Sequence, residues 1–407
     1  MKLWTLPLVC AACAFAIQPN ALLTSGKTAY VNGTTSTYLT DGSLINWKYV
    51  DTKDVALEVG EGPSKIFLAW ELYAAGCVDW GNFAAGCPHT QTSLTDFAIL
   101  TSGNSTTGVD GDWDTAYVVT NNQVLARGVA IDFEGKSWVR FVSQENTGSF
   151  LEIEAFDISE GQNDTWFFMG TSISSMGIKQ QDTDTTATTA KLIHEQFPDF
   201  TPAMLRGGVS CVNTTDIVNH LAEYLEAVGN VNFWAIEMGT NDGWGGGTWN
   251  LTTYVQNLQT IIDSAKARGI SIVLARTLAT DSSRAGWQVA PEFLAAEDSL
   301  IEVNGLYKGP DFYTFFKEHP EYLASDGVHP NAETGGGAQM HRLWAEALAP
   351  IYADTTSALY KNRSLGKASS QSLVKVLFRD GAVEIQTPGG EKSKSFDVHG
   401  RVIRQVK

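Results

Sequence analysis

From Trp166 to Tyr352 the sequence alternates short apolar runs with stretches whose apolar residues return at helical spacing, and this narrows the fold more than any other feature. Trp166-Phe167-Phe168-Met169 is a continuous apolar run ending in Gly170. Ile217 to Val228 carries Ile217, Leu221, Tyr224, Leu225 and Val228 along one helical face. Phe233 to Met238 is apolar again, and Leu251 to Ala267 is an amphipathic helix closed by Gly269. Ile270 to Ala275 is a further strand, and Ala338 to Tyr352 reads as the closing helix. Strands separated by helices pair in parallel, with the helices covering both faces. An α/β domain is therefore expected over 165–354.

The 407 residues are too many for one ordinary core. Ahead of the α/β region, 28–158 shows short alternating runs broken by turn residues. Among these runs are 65–70, 96–100, 116–119, 128–133 and 138–142, and Thr101-Ser102-Gly103-Asn104 and Asp110-Gly111-Asp112 interrupt them. Such spacing predicts an antiparallel β-sandwich. The segment from Tyr117 to Phe141, with its Asn-Asn pair, Arg127-Gly128-Val129 and Gly135-x-x-Trp138-Val139-Arg140, resembles the galactose-binding-like jelly roll of discoidin-type modules. Ser159 to Asp164 is a polar connector.

The two ends of the chain read differently. Met1-Lys2 gives a positive start, Leu3 to Ile17 is apolar but too short to span a bilayer, and Ala14-Phe15-Ala16 is a small-x-small cleavage pattern. Residues 1–16 are expected to be a signal peptide, with a buried strand or a lipid anchor at Cys13 as alternatives. Cys10 and Cys13 would leave with it, so Cys77 and Cys87 are expected to pair across a Gly-rich loop, with Cys211 left over. Residues 355–372 read as a linker. From Lys361 onward ten Lys and Arg face four acids, and 373–407 carries strand-like runs at 373–378, 383–386 and 396–403. The tail, with Asp397-Val398-His399-Gly400-Arg401-Val402-Ile403, resembles type IX secretion signals, which implies secretion machinery as a partner; a plain β appendage is the alternative. The formal net charge of −17 disfavours nucleic acid and anionic lipid as partners and favours a neutral substrate. No other apolar stretch is long enough for stable membrane insertion.

In an open α/β sheet the chemistry lies beyond the carboxyl ends of the strands. The first strand runs into Gly170-Thr171-Ser172-Ile173-Ser174, which exposes a serine hydroxyl at a strand-to-helix turn, although the same residues also suit a plain N-cap. Another ends in Met238-Gly239-Thr240-Asn241-Asp242, where Asn241 either aims an amide at a developing oxyanion or makes an Asx-turn. Before the final helix stands Ser325-Asp326-Gly327-Val328-His329-Pro330. A carboxylate three residues ahead of an imidazole in one loop can orient it as the base for a serine nucleophile. The remaining histidines (89, 194, 220, 319, 341 and 399) are scattered and lack metal-ligand spacing, so neither a metal nor a cofactor is expected.

These motifs, in this order, resemble blocks I, III and V of the SGNH (GDSL-type) hydrolases over about 166–352. The resemblance implies a flavodoxin-like three-layer domain and metal-free hydrolysis by Ser172, His329 and Asp326. It also implies an oxyanion hole from the Ser172 amide, the Asn241 side chain and a block II amide. Arg206-Gly207-Gly208-Val209-Ser210-Cys211 offers Gly208 or, in another register, Cys211 for that last donor, with Gly208 favoured. The family usually carries Asp where this chain has Thr171, a position that supports the turn rather than the reaction. A β-sandwich ahead of such a domain looks like secreted carbohydrate esterases that deacetylate plant cell-wall polysaccharides. Trp244, Trp249 and Trp287 follow the relevant strands and suit stacking on sugar faces, though loop packing would explain them equally. The expected function is thus a secreted or cell-surface bacterial acetylesterase acting on an acetylated polysaccharide or oligosaccharide. The alternatives are a lipase or aryl-esterase of the same fold, or a non-catalytic carbohydrate-binding surface protein.

Overall fold

The computed structural model describes residues 17–44, 54–72, 94–143, 150–180 and 187–353, together with the backbone of four C-terminal strands. The signal-peptide reading of 1–16, the Cys77–Cys87 pairing and the linker 355–372 lie outside the described residues.

The described residues open with ten short strands. They are β1 (Ala21–Leu22), β2 (Ala29–Val31), β3 (Thr34–Ser36), β4 (Asp54–Glu58) and β5 (Lys65–Leu72), then β6 (Phe97–Ser102), β7 (Asp114–Val119), β8 (Ala126–Asp132), β9 (Trp138–Ser143) and β10 (Phe150–Asp157). They form two sheets, ordered β1-β10-β5-β8 and β3-β2-β4-β9-β6-β7, with every pairing antiparallel. The five strands expected from alternation fall on β5 to β9. Strand pairing already begins at Ala21, ahead of residue 28. The two sheets face each other through aromatic side chains: Trp70 on β5 meets Phe97 and Phe141 edge-on at 6.0 and 5.5 Å, and Phe150 meets Phe141 at 4.9 Å. Edge-to-face contacts at such distances are a favourable geometry for aromatic pairs.

Strand β5 is buried from Ile66 to Leu72, because its sheet is covered on the second face as well. A Cβ on Gly128 would stand 2.4 Å from Phe67 and 2.7 Å from Leu205, so the two halves of the chain pack closely at this glycine. Buried Arg127 on β8 donates to Asn122 at 2.7 Å and pairs with Glu226, which also accepts from the Tyr117 hydroxyl.

The second half is built on five parallel strands: β11 (Thr165–Gly170), β12 (Ala203–Arg206), β13 (Phe233–Glu237), β14 (Ser271–Arg276) and β15 (Tyr307–Asp311). Their spatial order, β12-β11-β13-β14-β15, is the flavodoxin-like doubly wound order 2-1-3-4-5. Alternate residues of β11 serve opposite layers: Phe167 and Met169 join the core shared with the antiparallel half, whereas Trp166 and Phe168 join the opposite one. This two-sided burial is why the strands read as apolar runs. The helices are α1 (Ser172–Ser175), α2 (Thr189–Gln196), α3 (Thr214–Asn219), α4 (Leu221–Ala227), α5 (Leu251–Ala267), α6 (Ser282–Ala285), α7 (Pro291–Asn304), α8 (Phe312–Glu318) and α9 (Gly336–Ala353).

The single helix expected over 217–228 is two helices. A capping box of Asn213 and Asp216 starts α3 early, and His220, at φ −113° and ψ 21°, leaves the helical conformation before α4. The C-terminal strands, β16 (Lys375–Arg379), β17 (Ala382–Gln386), β18 (Ser393–Phe396) and β19 (Val402–Val406), form an antiparallel meander. The run expected at 396–403 is divided between the end of β18 and the start of β19. Among the described residues no helix is long and apolar enough to cross a membrane.

Candidate active site

The switch point of a 2-1-3-4-5 sheet lies between its first and third strands, here β11 and β13, whose following loops diverge to leave a crevice. Ser172 follows β11 and Asn241 follows β13. Thr171 caps α1 with an extended backbone, and its hydroxyl accepts from the Ile173 amide at 3.2 Å. Both readings of the turn therefore hold together: Thr171 is the N-cap, and Ser172, half-buried, is the first helical residue.

The turn rests on a group that sequence reasoning missed. Glu237, fully buried at the end of β13, accepts from the Ser174 hydroxyl at 3.0 Å, and the Thr171 amide also donates to it. Burial pushes its carboxyl up to about 7 against these hydrogen bonds. A Cβ on Gly170 would stand 2.1 Å from the Ser174 hydroxyl, so glycine is required where the strand meets the turn. The signal available in the sequence was one acidic residue inside an otherwise apolar strand.

The loop carrying Asp326 and His329 reaches Ser172 from the far end of the chain. His329 Nε2 lies 2.9 Å from the Ser172 hydroxyl and Nδ1 lies 2.7 Å from Asp326 Oδ2. The carboxylate can only accept, so the ring proton sits on Nδ1 and Nε2 accepts from the serine. The other carboxylate oxygen of Asp326 accepts from the amides of Val328 at 2.8 Å and His329 at 3.0 Å. Partial burial would raise the Asp326 carboxyl, but the hydrogen bonds from the ring and the two amides outweigh it and hold it below its ordinary range. Arg284 clamps this loop, donating to the carbonyls of Leu323 at 2.9 Å, Ala324 at 2.8 Å and Pro320 at 2.5 Å. Gly327, at φ +70°, has Arg284 Cβ only 2.8 Å from where its own Cβ would be. The glycine between Asp326 and His329 is thus demanded both by conformation and by space.

The oxyanion candidates divide. Asn241 is buried and donates to the Val212 carbonyl at 2.6 Å, which commits one of its two amide hydrogens. Asp242 beside it accepts from the Thr214 amide at 3.2 Å and hydroxyl at 2.5 Å, tying the loop after β13 to the start of α3. Burial raises the Asp242 carboxyl to about 6. Both contacts tie Val212 and Thr214, just after Cys211, to the loop after β13. Cys211 sits at φ +67°, a conformation that glycine adopts readily and other residues seldom do. Gly208 instead packs behind α1, where a Cβ would stand 2.4 Å from the Ser175 amide nitrogen. The missing side chain of Gly208 thus serves close packing, and the left-handed backbone at Cys211 directly precedes Val212, whose carbonyl Asn241 engages. The expectation that Cys211 is unpaired is corrected, since it is disulfide-bonded to a partner outside the described residues.

The three tryptophans divide as well. Trp244 and Trp287 lie against each other at 4.9 Å on the loops after β13 and β14, and Trp249 is 70% exposed on the first of these. The loop after β14 touches the His329 loop through the Asp281 amide, which donates to the Gly327 carbonyl at 2.7 Å. Among the described residues no group of three or more His, Cys, Asp or Glu side chains is arranged to hold a metal.

No family model matches this sequence, and no curated protein matches it. Solved structures that resemble it include an acetylxylan esterase from Geobacillus stearothermophilus, 16% identical, covering 46% of this chain and 93% of the other, with a TM-score of 0.35. A lipase/acylhydrolase from Enterococcus faecalis is 19% identical, over 45% and 96%, with a TM-score of 0.35. A Bacillus subtilis protein is 10% identical, over 83% and 93%, with a TM-score of 0.40.

Proposed function

We propose that this protein is a serine esterase of the SGNH type. The observation that carries the reading is the continuous hydrogen-bonded line from the Ser172 hydroxyl through the His329 ring to Asp326, assembled at the switch point of a 2-1-3-4-5 sheet. Ser172 attacks the ester carbonyl while His329 Nε2 takes its proton, and the tetrahedral intermediate collapses as that proton passes to the leaving alcohol. Water then repeats the sequence on the acyl-enzyme. Asp326 holds the productive tautomer and stabilises the imidazolium. The Ser172 amide, the second amide hydrogen of Asn241 and a backbone amide at Cys211 are the donors for the oxyanion.

The loop tryptophans and the charge support a substrate class. Paired and exposed tryptophans on the loops after β13 and β14 suit a sugar chain, and a net charge of −17 suits a nearly neutral one. We read the activity as removal of O-acetyl groups from plant cell-wall polysaccharides such as acetylated xylan. The antiparallel half is read as a jelly-roll accessory domain over 28–158, and 373–407 as a sorting module. Export fits a disulfide at Cys211, since such bonds persist in oxidising compartments.

The test is acetate release from acetylated xylan by the full chain and by Ser172→Ala, alongside p-nitrophenyl esters of increasing length. The variant should lose on the order of 10³-fold or more in rate. Preference for long acyl chains would move the reading to a lipase, and absence of any ester hydrolysis would refute it.

A further inference from the structure

A cavity of about 290 Å³ lies where the antiparallel half meets the α2 and α9 side of the parallel sheet, and none of Ser172, Asp326 or His329 lines it. Phe168, Ile178 and Met204 give it an apolar floor, and the start of α2, from Thr188 to Lys191, forms one side. His341 of α9, only 2% exposed, is part of the wall. Its Nδ1 accepts from the Thr189 amide at 3.0 Å, and a backbone amide can only donate, so Nδ1 carries no proton. Burial, with Arg206 and Lys191 nearby, holds the ring pKa down at about 3, which keeps it neutral. The proton is therefore on Nε2, and that buried N–H has no partner among the described residues. Unsatisfied buried donors are uncommon and cost free energy unless something accepts from them.

The electrostatics point to the charge of the acceptor. The two charged groups acting on His341 are both cations. The eight-residue helix α2 starts at this wall with no acid in its first turn, and helix N-termini favour anions. Against these, Asp41 and Glu154 line the cavity from the antiparallel half, which opposes a dianion.

We propose that this cavity is a second, non-catalytic binding site for a small monocarboxylate with an apolar body. The carboxylate accepts from His341 Nε2–H beside the start of α2, and the body lies on Phe168, Ile178 and Met204.

Isothermal titration of benzoate into the full-length chain tests this, with benzyl alcohol as the neutral probe and inorganic phosphate as the multiply charged one. Benzoate should bind saturably and more tightly than either. Lys191→Glu, at an exposed position, should weaken benzoate about tenfold while leaving benzyl alcohol unchanged. His341→Phe should abolish saturable benzoate binding, and a melting curve shows whether that chain is folded. Binding should persist in Ser172→Ala and His329→Ala, which keeps the outcome separate from the esterase reading. Absence of saturable binding, equal affinity in Lys191→Glu, or loss of binding in His329→Ala would each overturn the proposal.

Discussion

Replacing Glu237 with glutamine should stabilise the chain relative to wild type at pH 8 and forfeit that advantage at pH 4. The Glu237 carboxyl ionises at about 7 in the folded chain, against 4.5 when unperturbed, because it is buried beneath the turn that carries Ser172. Between these values the unfolded chain has released the proton and the folded chain still holds it, so wild-type stability falls as pH rises through the window. Below 4.5 both states are protonated, and above 7 the full penalty applies. At 1.36 kcal/mol per pH unit the interval amounts to about 3 kcal/mol. Glutamine stays neutral throughout, and its side-chain carbonyl can still accept from Ser174. Asp164 and Asp242, pushed up to about 7 and about 6, titrate in both chains and cancel in the difference. Urea unfolding of the two chains at pH 4 and pH 8, followed by tryptophan fluorescence, measures the quantity; Trp166 and Trp234 lie fully buried on strands flanking the site. A variant-minus-wild-type difference that does not change with pH would refute the reasoning.

Three further outcomes are expected. Asp326→Asn should lower kcat on the order of 10²- to 10⁴-fold with little change in melting temperature, because a half-exposed side chain holds the tautomer rather than the fold. Gly208→Ala should cost about 1–3 kcal/mol of stability and reduce ester hydrolysis, since its Cβ would press 2.4 Å from the Ser175 amide and shift α1. Trp249→Ala, at a 70% exposed position, should leave the melting temperature and p-nitrophenyl acetate hydrolysis unchanged while raising KM several-fold for acetylated xylan, a loss of about 1 kcal/mol of stacking.

What was legible in the sequence follows the chain's burial. Strands β11, β13 and β14 and helix α5 have continuous or periodic apolar patterns because both faces of the sheet are covered, and α5 was expected at its observed limits. Strand β15, reading Tyr-Lys-Gly-Pro-Asp, was missed because an edge strand tolerates glycine and proline that a central one does not. Strand β12, four residues at the other edge, was too short for a pattern. The line from Ser172 to Asp326 was legible because its three residues sit in short motifs whose spacing already fixes a loop. Glu237, Arg284 and the setting of Cys211 were not, since each acts through a contact between segments distant in sequence. An arginine that donates to carbonyls some forty residues away leaves no local trace.

The residue at 171 makes sense only beside the one at 237. An aspartate at 171 could cap α1 as Thr171 does, by accepting from the Ile173 amide. It would also introduce a second carboxyl beside Glu237, to which the Thr171 amide already donates, in a pocket where burial outweighs the hydrogen bonds and raises Glu237 to about 7. Two carboxyls so close cannot both ionise cheaply, and one of them would stay protonated through neutral pH. The uncharged hydroxyl of Thr171 keeps the cap without that conflict, and the single carboxyl beneath the turn supplies the acceptor for Ser174. The threonine at 171 and the one charged residue in strand β13 are thus a single arrangement: the hydroxyl caps α1, the acid lies in the strand beneath it, and together they hold the turn that carries Ser172.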